Sequence, residues 1–152
     1  MIGRDGLGLD LRQALHDISV RTDALIEAQN RFTPTYTKPL LKGTLEELER
    51  LDVKNREPLP EDLGNLIIET LRGRATDADA VLVMDQVQER NCGVVTDRVR
   101  EELARLGRER EGTVLFADSR ERIGEFERVI VKCNQEEAVR SVRPEHSGPV
   151  AQ

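Results

Sequence analysis

The sequence predicts an α/β fold built on a parallel sheet, and three observations carry that expectation. Within residues 78–138, three short apolar runs (80–84, 113–117 and 129–131) each lead into polar residues. A helical stripe of Val95, Val99, Leu103 and Leu106 separates the first two runs. The first run, Ala-Val-Leu-Val-Met, is apolar throughout, the pattern of a strand buried on both faces. Strands alternating with helices imply right-handed crossovers and a sheet with helices on both faces, three layers in all. Successive strand ends of such a sheet open on one edge, where ligands bind. Asp85, the Asp118-Ser119-Arg120 step and the Lys132-Cys133-Asn134 step, with Glu137 three residues on, would gather there. Two carboxylates, an Arg, a Lys and an Asn-x-x-Glu step suit a phosphorylated substrate and a hydrated metal.

The elements justify themselves in order. Leu11, Ala14, Leu15 and Ile18 share one face of a short amphipathic helix over residues 9–18. Residues 20–26 read as a brief extended piece. Over 33–41, Thr33, Thr35, Tyr36 and Thr37 favour β structure, and Pro34 and Pro39 place that strand at an edge. Lys42-Gly43-Thr44 is a turn signal, and Leu48, Leu51 and Val53 carry a returning strand; a helical turn over 45–51 competes with it, since Glu and Leu dominate there. The two strands form a small antiparallel flap, marginal without a partner. Residues 55–60 are a linker with two prolines, after which Glu61-Asp62 opens a helix through Leu71. Residues 94–106 form the next helix, and 135–142 start another. The tail, 144–152, contains Pro, Gly and Ser and is expected to fray.

Composition narrows the function classes. The 152 residues are 38% hydrophobic and 34% charged, enough for one folded domain with a core. A net charge of -6, three Phe, one Tyr and no Trp argue against a nucleic-acid partner. No apolar stretch approaches the roughly 20 residues of a membrane span. The opening Met1-Ile2-Gly3-Arg4-Asp5 has no apolar secretory core, and Cys92 and Cys133 lack paired metal spacing. A cytoplasmic protein with reduced thiols is the expectation.

The pieces together resemble the ribokinase/PfkB carbohydrate-kinase family, and within it the heptose-phosphate kinase branch. Gly3-Arg4-Asp5-Gly6-Leu7-Gly8 is similar to the family's Gly-x-Asp-x-x-Gly step into a helix. Thr35-Tyr36-Thr37-Lys38 and Leu48-Glu49-Arg50-Leu51-Asp52 resemble its lid strands. Lys132-Cys133-Asn134-Gln135-Glu136-Glu137 resembles its Lys-Pro-Asn-x-x-Glu motif, with Cys133 in place of Pro. The order and spacing of these pieces agree, which says more than any one of them.

The resemblance implies a Rossmann-like, ribokinase-like sheet, truncated, with a β lid over residues 33–54 on a partial kinase domain over 1–143. It implies ATP and Mg²⁺ as cofactors and a sugar or sugar phosphate as acceptor. Lys132, Asn134 and Glu137 would meet nucleotide phosphate, Glu137 reaching the metal through water. Asp85, Asp118 and Arg120 would line the substrate edge. Thr35, Thr37, Lys38, Arg50 and Asp52 would form the lid, through which two copies could pair. The chain also departs from the family. The family's first strand and Gly-Gly motif are expected before Met1, and its Gly-Ala-Gly-Asp segment, which supplies the catalytic base, well after Glu137. Residues 86–92 are longer than the family's stretch.

Each candidate has a plainer reading. Asn134 reads equally as a helix cap and Lys132 as a solvated strand end. Asp85 and Asp118 read as turn or cap residues, and Arg120 as the neutralising partner of Asp118 or Glu121. Asp77 and Asp79 fit turn chemistry, and His16 and His146 have no partner at ligand spacing. A non-catalytic α/β module for dimerisation or ligand binding, and an unrelated small metal-binding α/β domain, compete with the kinase reading.

Overall fold

Two glycines fix how the chain begins. A Cβ on Gly3 would lie 2.2 Å from the Arg31 carbonyl oxygen, and one on Gly8 would lie 2.4 Å from that of Gly3. Backbones that close admit no side chain. Strand β1 (Ile2–Gly3) pairs in parallel with β2 (Glu27–Ala28), and helix α1 (Gly6–Asp17) starts at the extended Asp5. The Asp5 carboxylate accepts from the Gly8 N–H, the Thr33 N–H and the Thr33 hydroxyl, all at 2.8 Å. The Thr33 hydroxyl oxygen in turn accepts from the Gly3 N–H at 2.9 Å. These bonds, the Thr33 amide first, hold the Asp5 carboxyl below the ordinary carboxylate range. The capping pulls the helix start forward to Gly6, and the extended piece expected at 20–26 falls on β2 instead.

The computed structural model describes residues 1–110, 112–143 and 145, in two units, Met1–Arg56 and Glu57–Gln152. The tail expectation lies outside the described residues, apart from Glu145. In the first unit, β3 (Thr35–Thr37) and β4 (Leu51–Val53) pair antiparallel, Tyr36 opposite Asp52. The strands are shorter than expected, and an isolated bridge between Leu40 and Glu47 continues the ladder. Gly43 at φ +104° and Leu45 at φ +57° reverse the chain, and no helix forms over 45–51. Asn55 closes the base of the hairpin, accepting from the Phe32 N–H at 2.9 Å and donating to its carbonyl at 2.8 Å. Arg50 and Lys54 sit over the Tyr36 ring, 5.4 and 5.9 Å from its centroid.

The second unit contains α2 (Glu61–Ala75), β5 (Ala80–Asp85), α3 (Asp97–Glu109), β6 (Val114–Ser119), a short 3-10 turn (Ile123–Glu125), β7 (Ile130–Lys132) and α4 (Gln135–Val142). Strand order is β5-β6-β7, all parallel, as expected for the α/β class. Register runs from Ala80 opposite Val114 to Asp85 opposite Ser119, and Asp118 lies opposite Lys132. The connection from β6 to β7 is near the shortest a parallel crossover allows and carries only the 3-10 turn. That turn packs on α4 so tightly that a Cβ on Gly124 would lie 2.8 Å from the Ser141 Cβ.

Helices α2 and α3 cover one face of the sheet. Ala75 and Leu106 meet Leu115 there, with Leu71, Val81 and Val129 around them. Val83, Asp85, Leu115, Ala117 and Ser119 are buried on this face. The apolar run at 80–84 is not buried on both faces, however. Leu82 is 71% exposed, Met84 58% and Ile130 57%, because strand alternation turns them to the opposite face. A fully apolar strand thus presents half its side chains outward.

Between α2 and α3, the Glu102 carboxylate is 5% exposed and held by two arginines. Arg72 Nε and Nη2 each donate to it at 2.8 Å, and Arg105 binds it from one turn along. The Arg72 bonds, foremost, hold the Glu102 carboxyl at about 2. At the end of α3, a Cβ on Gly107 would lie 2.2 Å from the carbonyl oxygen of Arg128, a residue at φ +57° just before β7.

Two outcomes follow for stability. Gly107→Ala should lower unfolding free energy by about 2 kcal/mol in urea denaturation, because the backbone of Arg128 cannot yield as a side chain would. Glu102→Gln should cost about 2 kcal/mol at neutral pH. A depressed carboxylate stabilises above its unfolded pKa, so the gap between Glu102→Gln and the parent should narrow as pH falls from about 4.5 towards about 2. A gap constant across that window would refute the assignment.

Candidate functional site

The carboxyl ends of β5, β6 and β7 bring most of the expected second-unit residues to one edge, but on two faces. In-register parallel pairing puts Asp85 and Ser119 on the helix-covered face and Asp118 and Lys132 on the other. On the covered face, Asp85 is 3% exposed. Ser119 donates its hydroxyl to Asp85 Oδ2 at 2.7 Å and accepts from the Arg122 N–H at 3.1 Å. Burial raises the Asp85 carboxyl above its ordinary value, against the Ser119 bond and the charge of Arg122. Arg122 Nε lies 3.8 Å from Asp85 Oδ2, an ion pair beyond hydrogen-bond reach. Its Nη1 donates to the Gln88 carbonyl at 2.8 Å and its Nη2 to that of Val87. The residues after β5 are thereby fastened to those after β6. Arg120 adds a second tie, its Nε donating to Gln86 Oε1 at 2.9 Å.

On the other face, Lys132 Nζ lies 3.1 Å from Asp118 Oδ2. Just beyond, Asn134 and Glu137 form a capping box at the start of α4. The Asn134 side chain accepts from the Glu137 N–H at 2.8 Å, and Glu137 Oε2 accepts from the Asn134 N–H at 2.8 Å. The helix-capping reading of Asn134 is therefore realised. Glu137 is buried, and its Oε1 has no protein hydrogen-bond partner among the described residues.

Glu137 also lines a cleft of about 330 Å³ with Arg120, Glu121, Arg122, Glu125 and Arg140. Lys132, Asp118 and Asn134 do not line it. The expected phosphate group thus resolves into a charge pair, a capping box and a mixed-charge cleft joined through Glu137. No cluster of three or more metal-ligating side chains occurs among the described residues. A hydrated Mg²⁺ fits this donor set, one carboxylate oxygen beside a cleft, because Mg²⁺ keeps several waters and takes few carboxylates.

The lid residues lie in the first unit. Thr35 pairs with Val53 and Thr37 with Leu51. Lys38 Nζ lies 2.9 Å from Glu47 Oε1, and Arg50 Nε lies 2.7 Å from Asp52 Oδ1. The sequence brings Ser119 to this edge without a role and marks neither Arg122 nor Arg140. Arg140 was findable, since it stands one helical turn after Glu137 and shares its face; nothing local marks Arg122.

No family model matches this chain, and no curated protein does. Among solved structures, one match is a crystal structure of a "putative sugar kinase from Clostridium perfringens", at TM-score 0.54 and 13% identity. The match covers 94% of this chain and 47% of that one, so this chain spans about half its length. At that identity the likeness shows the fold, a sugar-kinase-like α/β arrangement. No helix among the described residues is long and apolar enough to cross a membrane.

Ser119→Ala should raise the Asp85 pKa further, followed by NMR titration, and lower stability by about 2 kcal/mol at neutral pH. A pKa that falls instead would show that the hydroxyl does not support the charged form.

Proposed function

We propose that this chain is part of a PfkB-type carbohydrate kinase, which transfers the terminal phosphoryl group of ATP to a hydroxyl of a sugar or sugar phosphate. The observation that carries the reading is the Glu137 carboxylate, fixed by the Asn134 box beside a cleft with arginines, at the strand-end edge of a sugar-kinase-like sheet. Phosphoryl transfer asks mainly for positioning and for charge placed around the moving group. Lys132 would place a point charge near nucleotide phosphate, and Asp118 would orient that ammonium. Glu137 would meet hydrated Mg²⁺, which neutralises phosphate charge when bound. Of the three residues expected on the acceptor side, Arg120 would face the cleft, Asp118 would act through Lys132 on the opposite face, and the buried Asp85 would fasten the strand ends through Ser119 and Arg122. The β3–β4 hairpin would serve as the lid, and its exposed Tyr36 and Leu51 support pairing of copies through it. A cytoplasmic setting is consistent with this chemistry.

The 152 residues contain no Gly-Ala-Gly-Asp sequence. In this reading the catalytic base and the amides of the anion hole belong to that segment, and a single such donor is worth ~3 kcal/mol. The 152-residue polypeptide should therefore give no steady turnover with ATP, Mg²⁺ and a panel of sugars and sugar phosphates. It should still bind ATP·Mg²⁺ at roughly millimolar strength, about 4 kcal/mol. Glu137→Gln, which keeps the capping box and removes the charge, should weaken that binding. Turnover lost on Glu137→Gln would overturn the inactivity. ATP·Mg²⁺ binding that is absent, or indifferent to Glu137, would overturn the kinase reading.

A further inference from the structure

We propose that Arg140 is an anion-contacting residue of the cleft beside Glu137, and that Glu121 is the internal carboxylate it releases when a phosphate group enters. The inference rests on the kinase reading of that cleft and adds a residue and a competing group to it. Arg140 stands three residues after Glu137 on α4, so both project from one helix face into the same cleft. Its present contacts are weak. Nη1 lies 3.4 Å from Glu121 Oε2, and Nη2 lies 3.4 Å from the Arg120 carbonyl oxygen, at the outer limit of hydrogen bonding. Its side chain is about half exposed, where such a pair stabilises little.

Arg120 is placed to act with it. Its Nε is fixed by Gln86, while its terminal nitrogens have no protein partner among the described residues. Two guanidinium groups at one cleft offer the planar forks that suit phosphate oxygens. The remaining charges are committed elsewhere. Arg122 is held by two carbonyls and Asp85, and Glu125 by Arg90 and Arg100. The exchangeable charges are thus Arg120 and Arg140 against Glu121 and Glu137. A bare anion meets a balanced site. A phosphate paired with a divalent cation fits better, since it takes Arg140 from Glu121 and meets the open nitrogens of Arg120 while its cation meets the open oxygen of Glu137.

Inorganic pyrophosphate, titrated calorimetrically into the full chain with and without Mg²⁺, tests this. Binding is expected to be tighter with Mg²⁺. Arg140→Gln should weaken it about tenfold, the worth of one lost charged hydrogen bond, and Arg140→Lys should restore part. Glu121→Gln should tighten it by removing the competitor. Arg108→Gln, outside this cleft, should leave it unchanged, and circular dichroism should find every variant folded. Absent binding, binding indifferent to Arg140, or weaker binding in Glu121→Gln would each overturn the proposal. Pyrophosphate binding that depends on Arg140 without ATP binding would sink the kinase reading alone. ATP·Mg²⁺ binding that depends on Glu137 but not on Arg140 would sink this inference alone.

Discussion

Parallel, in-register pairing of β5, β6 and β7 is the constraint from which the strand-end edge follows. Period-two alternation leaves no choice about where neighbouring polar residues go. Once Leu115 and Ala117 face the helices, Ser119 must face them too, opposite Asp85. A buried carboxylate needs partners, and Ser119 and Arg122 supply them. Arg122 then takes the carbonyls of Val87 and Gln88, which settles the course of the segment after β5. On the opposite face the same register sets Lys132 beside Asp118.

A similar chain of dependence runs through the first unit. Thr33 can reach both Asp5 and the Gly3 amide only because Gly3 and Gly8 let three backbone segments close on one another. The Gly-x-Asp-x-x-Gly step is therefore a packing device as well as a helix start, and one hydroxyl some thirty residues away completes it. The pairing of Thr33 with Asp5 is not visible in local sequence.

The α/β class, the three parallel strands and the hairpin were legible from apolar runs, helical stripes and Pro-Gly punctuation. The boundaries were less so. β6 and β7 start later than the apolar runs and continue into Ser119 and Lys132, because ladder bonds, not hydropathy, define where pairing stops. The buried-on-both-faces reading of 80–84 failed because an apolar run reports only that neither face is penalised for contact, not that both are covered. In the site, Asn134 and Glu137 were legible as a pair from their spacing. The separation of Asp85 from Asp118 onto opposite faces depended on register, which a single sequence does not specify. Arg122 was beyond reach for the same reason, since its partners are backbone carbonyls from another strand end.

The outward half of β5 carries a consequence for how this chain behaves while it is being made. Leu82, Met84 and Ile130 form an oily patch on an otherwise acidic, charge-rich protein. Any newly synthesised copy displays that patch as soon as the three strands close, and contiguous apolar surface of this kind is what holdase chaperones grip and what seeds amorphous clumping. Yield in a heterologous host would then depend on this patch and on chaperone supply as well as on the net charge, which by itself favours solubility.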